Sequence, residues 1–176
     1  MTLFAGSTGP NSLDYINKIQ RKIAFPNSKK LHYETSSFFN CFTDSSYIKS
    51  QEFFITVLGC RYTESELRLI WDRYRNDEEY LTTLNGGFVL IMADYQQNKI
   101  ILALDQIGQK SLYYAQTDTG LVFASNADFV ISHINVTNTI SQQSIYDYVY
   151  FHHCPSPNSI YQQVKKLEGS QVLTFH

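Results

Sequence analysis

The side chains of this sequence that could do chemistry are few and scattered. His152, His153 and Cys154 stand in a row and are the one local cluster of metal-ligand residue types. Neighbours in extended chain point in divergent directions, and no further His or Cys lies at ligand spacing, so the run reads as structural rather than as a zinc site. Cys41, Cys60 and Cys154 match no zinc pattern, and an odd number of cysteines argues against a disulfide framework. They are expected to be reduced, mostly buried thiols. His32 and His133 stand alone and read as surface or hydrogen-bonded core residues. Tyr146, Tyr148 and Tyr150, with Phe151 following, form either an aromatic patch for a partner or a set of core-packing residues.

These residues sit in a chain of 176 with 14 Lys+Arg against 16 Asp+Glu, a formal net charge of −2, and 43% apolar residues. That is one domain's worth of protein with enough apolar surface for a sizeable core. The near-neutral balance leaves no basic footprint, which excludes sequence-independent nucleic-acid binding. The apolar run Phe88-Val89-Leu90-Ile91-Met92-Ala93 is too short to cross a bilayer, and the N-terminus has no basic stretch leading into an apolar core. A soluble, cytoplasmic protein without membrane contact is the expectation. Aromatic residues make up 15% of the chain, which favours strands as the bulk of the fold.

The elements that must position the side chains follow from periodicity. Met1 to Gly6 reads as a short buried strand, and the turn-rich Ser7-Thr8-Gly9-Pro10-Asn11 follows it. From Ser12 or Asp14, the residues Ile16, Ile19, Gln20 and Ile23 fall on one face of a helix that Pro26 ends. Extended segments are expected near Leu31–Tyr33, Ser37–Thr43 and Glu52–Leu58, with a turn at Gly59. Leu67, Ile70, Trp71 and Tyr74 then recur at helical spacing between Thr63 and about Tyr80. Phe88–Tyr95, Lys99–Asp105 and Leu121–Ser125 read as a meander of antiparallel strands, Ser141–Tyr150 as a further helix and Gln171–Phe175 as a last strand. Strands bracketed by helices with no linker between domains imply an α+β or layered sandwich fold in one unit.

Several segments in order resemble the N-terminal glutaminase domain of the asparagine synthetase family, the class II glutamine amidotransferases. Leu84-Asn85-Gly86-Gly87-Phe88-Val89-Leu90 is similar to that family's Leu-Asn-Gly-x-Phe-Ala-Phe strand entry. Asp105-Gln106-Ile107-Gly108-Gln109-Lys110-Ser111-Leu112-Tyr113-Tyr114-Ala115 resembles its Asp-Arg-x-Gly-x-Lys-Pro-Leu-Tyr-Tyr run. Gly120-Leu121-Val122-Phe123-Ala124-Ser125 looks like the strand that follows, and Cys154-Pro155-Ser156-Pro157-Asn158-Ser159-Ile160-Tyr161 like the Pro-x-Pro-x-Thr-Ile turn near the domain end. The resemblance covers Thr83 to Phe175 well and the first half in patches. It implies the Ntn-hydrolase fold, a four-layer sandwich of two antiparallel sheets between helical layers, over residues 1–176. Asp105 and Lys110 would then fix a turn between strands.

An active member of that family uses an N-terminal Cys, whose thiolate attacks the glutamine amide while its own α-amino group acts as base. In this sequence Ala5-Gly6 keep the end of the family's Met-Cys-Gly-Ile-x-Gly opening, but Thr2 stands at the nucleophile and Leu3 at the adjacent Gly. Threonine serves as an N-terminal nucleophile on such a fold once Met1 is removed, so Thr2 is the catalytic candidate. The family holds the glutamine carboxylate with an Arg from an Arg-Leu-Ser strand, yet no Arg lies between Lys22 and Gly59. Its Asn-Gly-Glu-x-Tyr-Asn segment grips substrate and oxyanion. Here Leu58-Gly59-Cys60-Arg61-Tyr62-Thr63 matches at Gly59 and Tyr62, with Leu58 in place of the donor Asn. Gly59 is the substrate-binding candidate that remains. Glu66 is the nearest acidic residue to a later Ser-Asp element, on what reads as an exposed helix face.

The resemblance therefore implies a degenerate glutaminase-like domain that acts as scaffold of an ATP-dependent amide ligase of the asparagine synthetase, β-lactam synthetase or lasso-peptide cyclase type. The implied partner is an ATP-pyrophosphatase synthetase domain, fused C-terminally or separate. ATP and Mg²⁺ belong to that partner and no cofactor to this chain, since the Ser-Gly-Gly-x-Asp-Ser loop is missing from these residues. A homo-oligomer is compatible with the reading. The alternatives are an active N-terminal-Thr amidohydrolase and a stand-alone binding module.

Overall fold

The computed structural model describes residues 3–22 and 32–176. In chain order the strands are β1 (Phe4–Thr8), β2 (His32–Thr35), β3 (Phe39–Thr43), β4 (Tyr47–Lys49), β5 (Phe53–Leu58), β6 (Val89–Asp94), β7 (Lys99–Leu104), β8 (Tyr113–Thr117), β9 (Gly120–Ala124), β10 (Lys165–Lys166) and β11 (Val172–Phe175). The helices are α1 (Ser12–Lys22), α2 (Glu64–Asn76), α3 (Ala127–Val130) and α4 (Gln142–Phe151). Two antiparallel sheets with helices form, so the α+β class expected from the sequence holds. The residues sort into two units interleaved along the chain, one built from Thr43–Lys110 and Glu168–His176, the other from Leu3–Phe42 and Ser111–Leu167.

The first unit carries a five-stranded sheet in the order β11-β7-β6-β5-β4. Strands β5, β6 and β7 are buried at every residue, which is why they read as continuous Val/Ile/Leu runs rather than as an apolar and polar alternation. Helix α2 lays Leu67, Ile70, Trp71 and Tyr74 against Phe53, Ile55, Leu90 and Met92. The helix starts where Thr63 and Glu66 form a capping box, each side chain bonding the other residue's backbone N–H. The expected extension to Tyr80 is corrected. Asp77 adopts φ −151 and its side chain accepts the Glu79 N–H at 3.0 Å, which ends α2 at Asn76 and opens a 3-10 helix over Glu78–Thr83.

The second unit carries a six-stranded sheet in the order β10-β8-β9-β1-β3-β2. Strand β1 runs to Thr8, two residues further than the sequence suggests, because it pairs antiparallel with β9 through Ala5↔Ala124, Gly6↔Phe123 and Ser7↔Val122. Helix α1 buries Tyr15, Ile16 and Ile19, while Gln20 is exposed. Ile23 and Pro26 lie outside the described residues, as does the side chain of His32 at the start of β2. The single meander is also corrected: β6 pairs with β7 in one sheet and β8 with β9 in the other. The free edge of β7 is taken residue by residue by β11, with Val172↔Ala103 through Phe175↔Ile100, so no edge is left there for β8.

Of the cysteines only Cys41 is buried, its thiol pushed well up by burial and by nearby Glu34; Cys60 and Cys154 are half-buried, fewer buried thiols than expected. His133 is a core residue. Its Nδ1 accepts the Asn135 N–H at 3.2 Å, and its ring meets Tyr15 edge-on at 5.1 Å. Burial first, then the charge of Lys18, depresses its pKa below the ordinary 6.5. On acidification the unfolded chain therefore takes up this proton before the native state does. The stability is complete above about pH 6.5 and is lost as pH falls toward the folded-state pKa. Urea midpoints compared at pH 7.5 and 5.5 should show that loss, and His133→Phe should flatten the profile across the same window.

Candidate functional site

Of the segments that carry the sequence resemblance, Leu84–Leu90 and the Asp105–Lys110 part of the next meet the Leu58–Thr63 stretch within the first unit, whereas Gly120–Ser125 and Cys154–Tyr161 belong to the second. Strand β5 ends at Leu58, paired with Val89 of β6, and the Leu58 side chain is wholly buried. The chain then turns at Gly59 with φ +99, a conformation open to glycine and rarely to other residues. A methyl group at Gly59 would run into the carbonyl oxygen of Gly87 and stand 3.3 Å from the Cε of Lys110. The Cys60 thiol donates to that same Gly87 carbonyl at 3.5 Å. Gly59 is thus required by a close backbone approach.

Asp105 closes the arrangement from the third segment. It is 1% exposed, and its carboxylate accepts the N–H groups of Ile107 and Gln109 at 3.1 Å. Its own N–H donates to Phe88 O at 3.1 Å, and its carbonyl accepts from Gly108 N at 3.2 Å and Ser170 N at 3.0 Å. Asp105 organises the turn that takes the chain out of β7, in line with the structural role read from the sequence. Lys110 ends the turn beside Gly59.

What this cluster offers chemically is limited. The carboxyl of Glu66 is held below its ordinary range by the backbone N–H and then the hydroxyl of Thr63, both at 2.7 Å from Oε2, so this oxygen is engaged in starting α2. The phenol of Tyr62 is pushed up, mainly by burial and then by Cys60 and Glu66. In the strands β3 to β5 the cations reduce to Lys49, exposed on β4. Thr2 lies outside the described residues, so Gly59 is the site candidate that the structure describes.

A cavity that the sequence did not single out lies in the second unit. It measures about 480 Å³ and is lined by Tyr113, Tyr148, His152, Cys154, Ile160 and Lys166, among others. Helix α4 starts at the N-cap Ser141 and ends where His152 takes a left-handed conformation, φ 60, and donates its N–H to Tyr148 O at 2.8 Å. His153 Nδ1 stands 2.9 Å from Phe151 O, and Cys154 Sγ reaches Ser144 O at 3.7 Å. The available signal was the His-His-Cys run followed by Pro-x-Pro, which ends a helix and folds back along it.

A family model described as a glutamine amidotransferase domain matches residues 62–176, leaving Thr2 and Gly59 before the match. A Methanocaldococcus jannaschii protein provisionally named asparagine synthetase (glutamine-hydrolyzing) 2 is 29% identical over 93 residues, 52% of this chain and 18% of the relative. Asparagine synthetase (glutamine-hydrolyzing) 1 of Bacillus subtilis is 29% identical over 111 residues, 62% of this chain and 17% of the relative. The matched stretches thus span less than a fifth of the length of these curated relatives.

Proposed function

The chain belongs to the glutamine amidotransferase domain family, and from that premise we propose that it is a degenerate glutaminase-like domain, kept as the scaffold of an ATP-dependent amide ligase of the asparagine-synthetase type. The observation that carries the reading is Leu58. Where such a site needs a side-chain donor aimed at the oxyanion, a wholly buried Leu side chain follows the strand into the core. Loss of one preorganised donor costs about 10²–10³ in kcat. The sequence adds Thr2 at the position of the nucleophilic Cys, and an alkoxide is harder to form than a thiolate. Two of the three chemical parts of glutamine hydrolysis, nucleophile and oxyanion donor, are thereby weakened together. The third, a carboxylate clamp, has no Arg to supply it between Lys22 and Gly59.

In this reading the ligase chemistry, with its ATP and Mg²⁺, belongs to a synthetase domain joined to this one or bound to it. No helix among the described residues is long and apolar enough to cross a membrane.

The test is ammonia release from glutamine by the purified chain, coupled to a dehydrogenase readout, with Thr2→Ala as control and intact mass to report on Met1. Release no faster than the control is expected. Release that disappears in Thr2→Ala, from a chain lacking Met1, overturns the reading in favour of a working N-terminal-Thr amidohydrolase.

A further inference from the structure

Helix α4 is built with its apolar stripe facing the wrong way for a monomer. Ser144 is its buried residue, whereas Ile145 is 47% exposed, Tyr146 74%, Val149 70% and Tyr150 79%. At 100° per residue, positions 145, 146, 149 and 150 fall within one stripe about 140° wide, the geometry that a surface helix normally turns into a core. Tyr148 and Phe151, at 56% and 50%, flank the stripe on the side of Ser144. Asp147 is the single charged residue of the helix. Aromatic side chains of this size each carry roughly 150–250 Å². Four such exposed residues, with Ile145 and Val149 beside them, therefore amount to several hundred Å², the scale of one side of a standard protein interface and at the upper end of what monomers leave uncovered.

The cavity of about 480 Å³ adjoins this stripe, since Tyr148 and His152 belong to α4 and its cap and line the cavity wall. A pocket beside an apolar stripe is the usual receptacle for the anchor residue of a partner.

We propose that α4 and the adjoining cavity are the docking face for the synthetase domain that accompanies this domain, with an apolar side chain of that domain seated in the cavity. The inference rests on the functional reading above and names the surface through which it operates. The occupant is indicated by length: the matched stretches are 17% and 18% of the two relatives, so more than four-fifths of each lies outside the match. An apolar and aromatic stripe on a helix with a single charged residue matches permanent domain contacts, which are more hydrophobic than transient ones.

The experiment uses the whole chain with the synthetase domain encoded alongside it, in the same reading frame or by a neighbouring gene, and reads binding by titration calorimetry and hydrogen exchange. Slowed exchange over residues 142–154 is expected, with Val149→Asp and Tyr150→Asp each weakening affinity by ~30-fold or more, the effect of losing one hot-spot anchor. Both positions are exposed, so circular dichroism should show the variants folded as the parent is. Leu69→Asp, an exposed apolar position on α2, should bind as the parent does. If the synthetase domain binds but both α4 variants bind equally well, the docking face is wrong and the functional reading stands. If no synthetase domain is encoded with the chain, or none binds, the functional reading falls with it. A homodimer of the chain alone that Val149→Asp dissociates, with synthetase binding unaffected, assigns the face to a second copy and overturns the inference.

Discussion

Replacing Trp71 by alanine is expected to remove about 3–5 kcal/mol of stability, the range for emptying a large aromatic site in a packed core. Trp71 is 2% exposed and stacks on Phe53 with ring centroids 4.4 Å apart and planes 15° from parallel, and Tyr74 lies 6.1 Å away on the same helix. It therefore ties α2 to β5. Against a typical total of ~5–15 kcal/mol this loss is a fifth or more of the whole. The change should appear in urea unfolding followed by far-UV circular dichroism as a lower midpoint with an unchanged slope. Trp71→Phe keeps an aromatic plane on Phe53 and should recover more than half of the loss. Because the chain has one Trp, fluorescence of the parent protein reports the unfolding of this core directly.

The same helix shows what the sequence made legible. Leu67, Ile70, Trp71 and Tyr74 announce α2 because their spacing is local information, and all four are buried. The end of the helix was less legible, because Asp77 stops it through a backbone conformation that no periodicity reveals. Strand β4 escaped notice at three residues, too short for any alternation to register. The allocation of β7 and β8 to different sheets depends on β11 arriving from about seventy residues away to cover an edge. A strand buried on both faces has no alternation to say which neighbour it takes. The Asp105 turn was legible through its resemblance, and its hydrogen bonds supply the cause.

The aromatic run in α4 shows the opposite limit. Alternating Tyr residues admit both a core and a partner-facing reading, and only their exposure in the folded chain separates them. A helix that would ordinarily turn that stripe inward has left it outside. The fold leaves a large apolar surface uncovered, which is what the proposed docking face requires. If, as proposed, the domain releases no ammonia, such a surface would account for why the scaffold is kept.

The second large effect is expected at Gly59. An alanine there must hold φ +99, at a strain of about 1–3 kcal/mol, and must displace the Gly87 carbonyl that its methyl group would strike, at an overpacking cost of about 1–3 kcal/mol more. The displacement does not stop at Gly87. The next residue, Phe88, supplies the carbonyl that accepts the Asp105 N–H, so the Asp105 turn should loosen as well and show faster amide exchange at Ile107 and Gln109. Gly86→Ala provides the comparison, since Gly86 has φ +107 but a methyl group there meets only the Cys60 sulfur, at 3.0 Å. Its loss should be the strain plus a small shift of that sulfur, so the difference between the two variants reports chiefly the carbonyl contact. If Gly59 served glutamine binding as well, a ligand at ten times its Kd would add about 1.4 kcal/mol to the parent and nothing to Gly59→Ala. On the reading argued here glutamine shifts the unfolding of neither protein, because what Gly59 retains from the family is the place where two backbones pass too closely for any side chain.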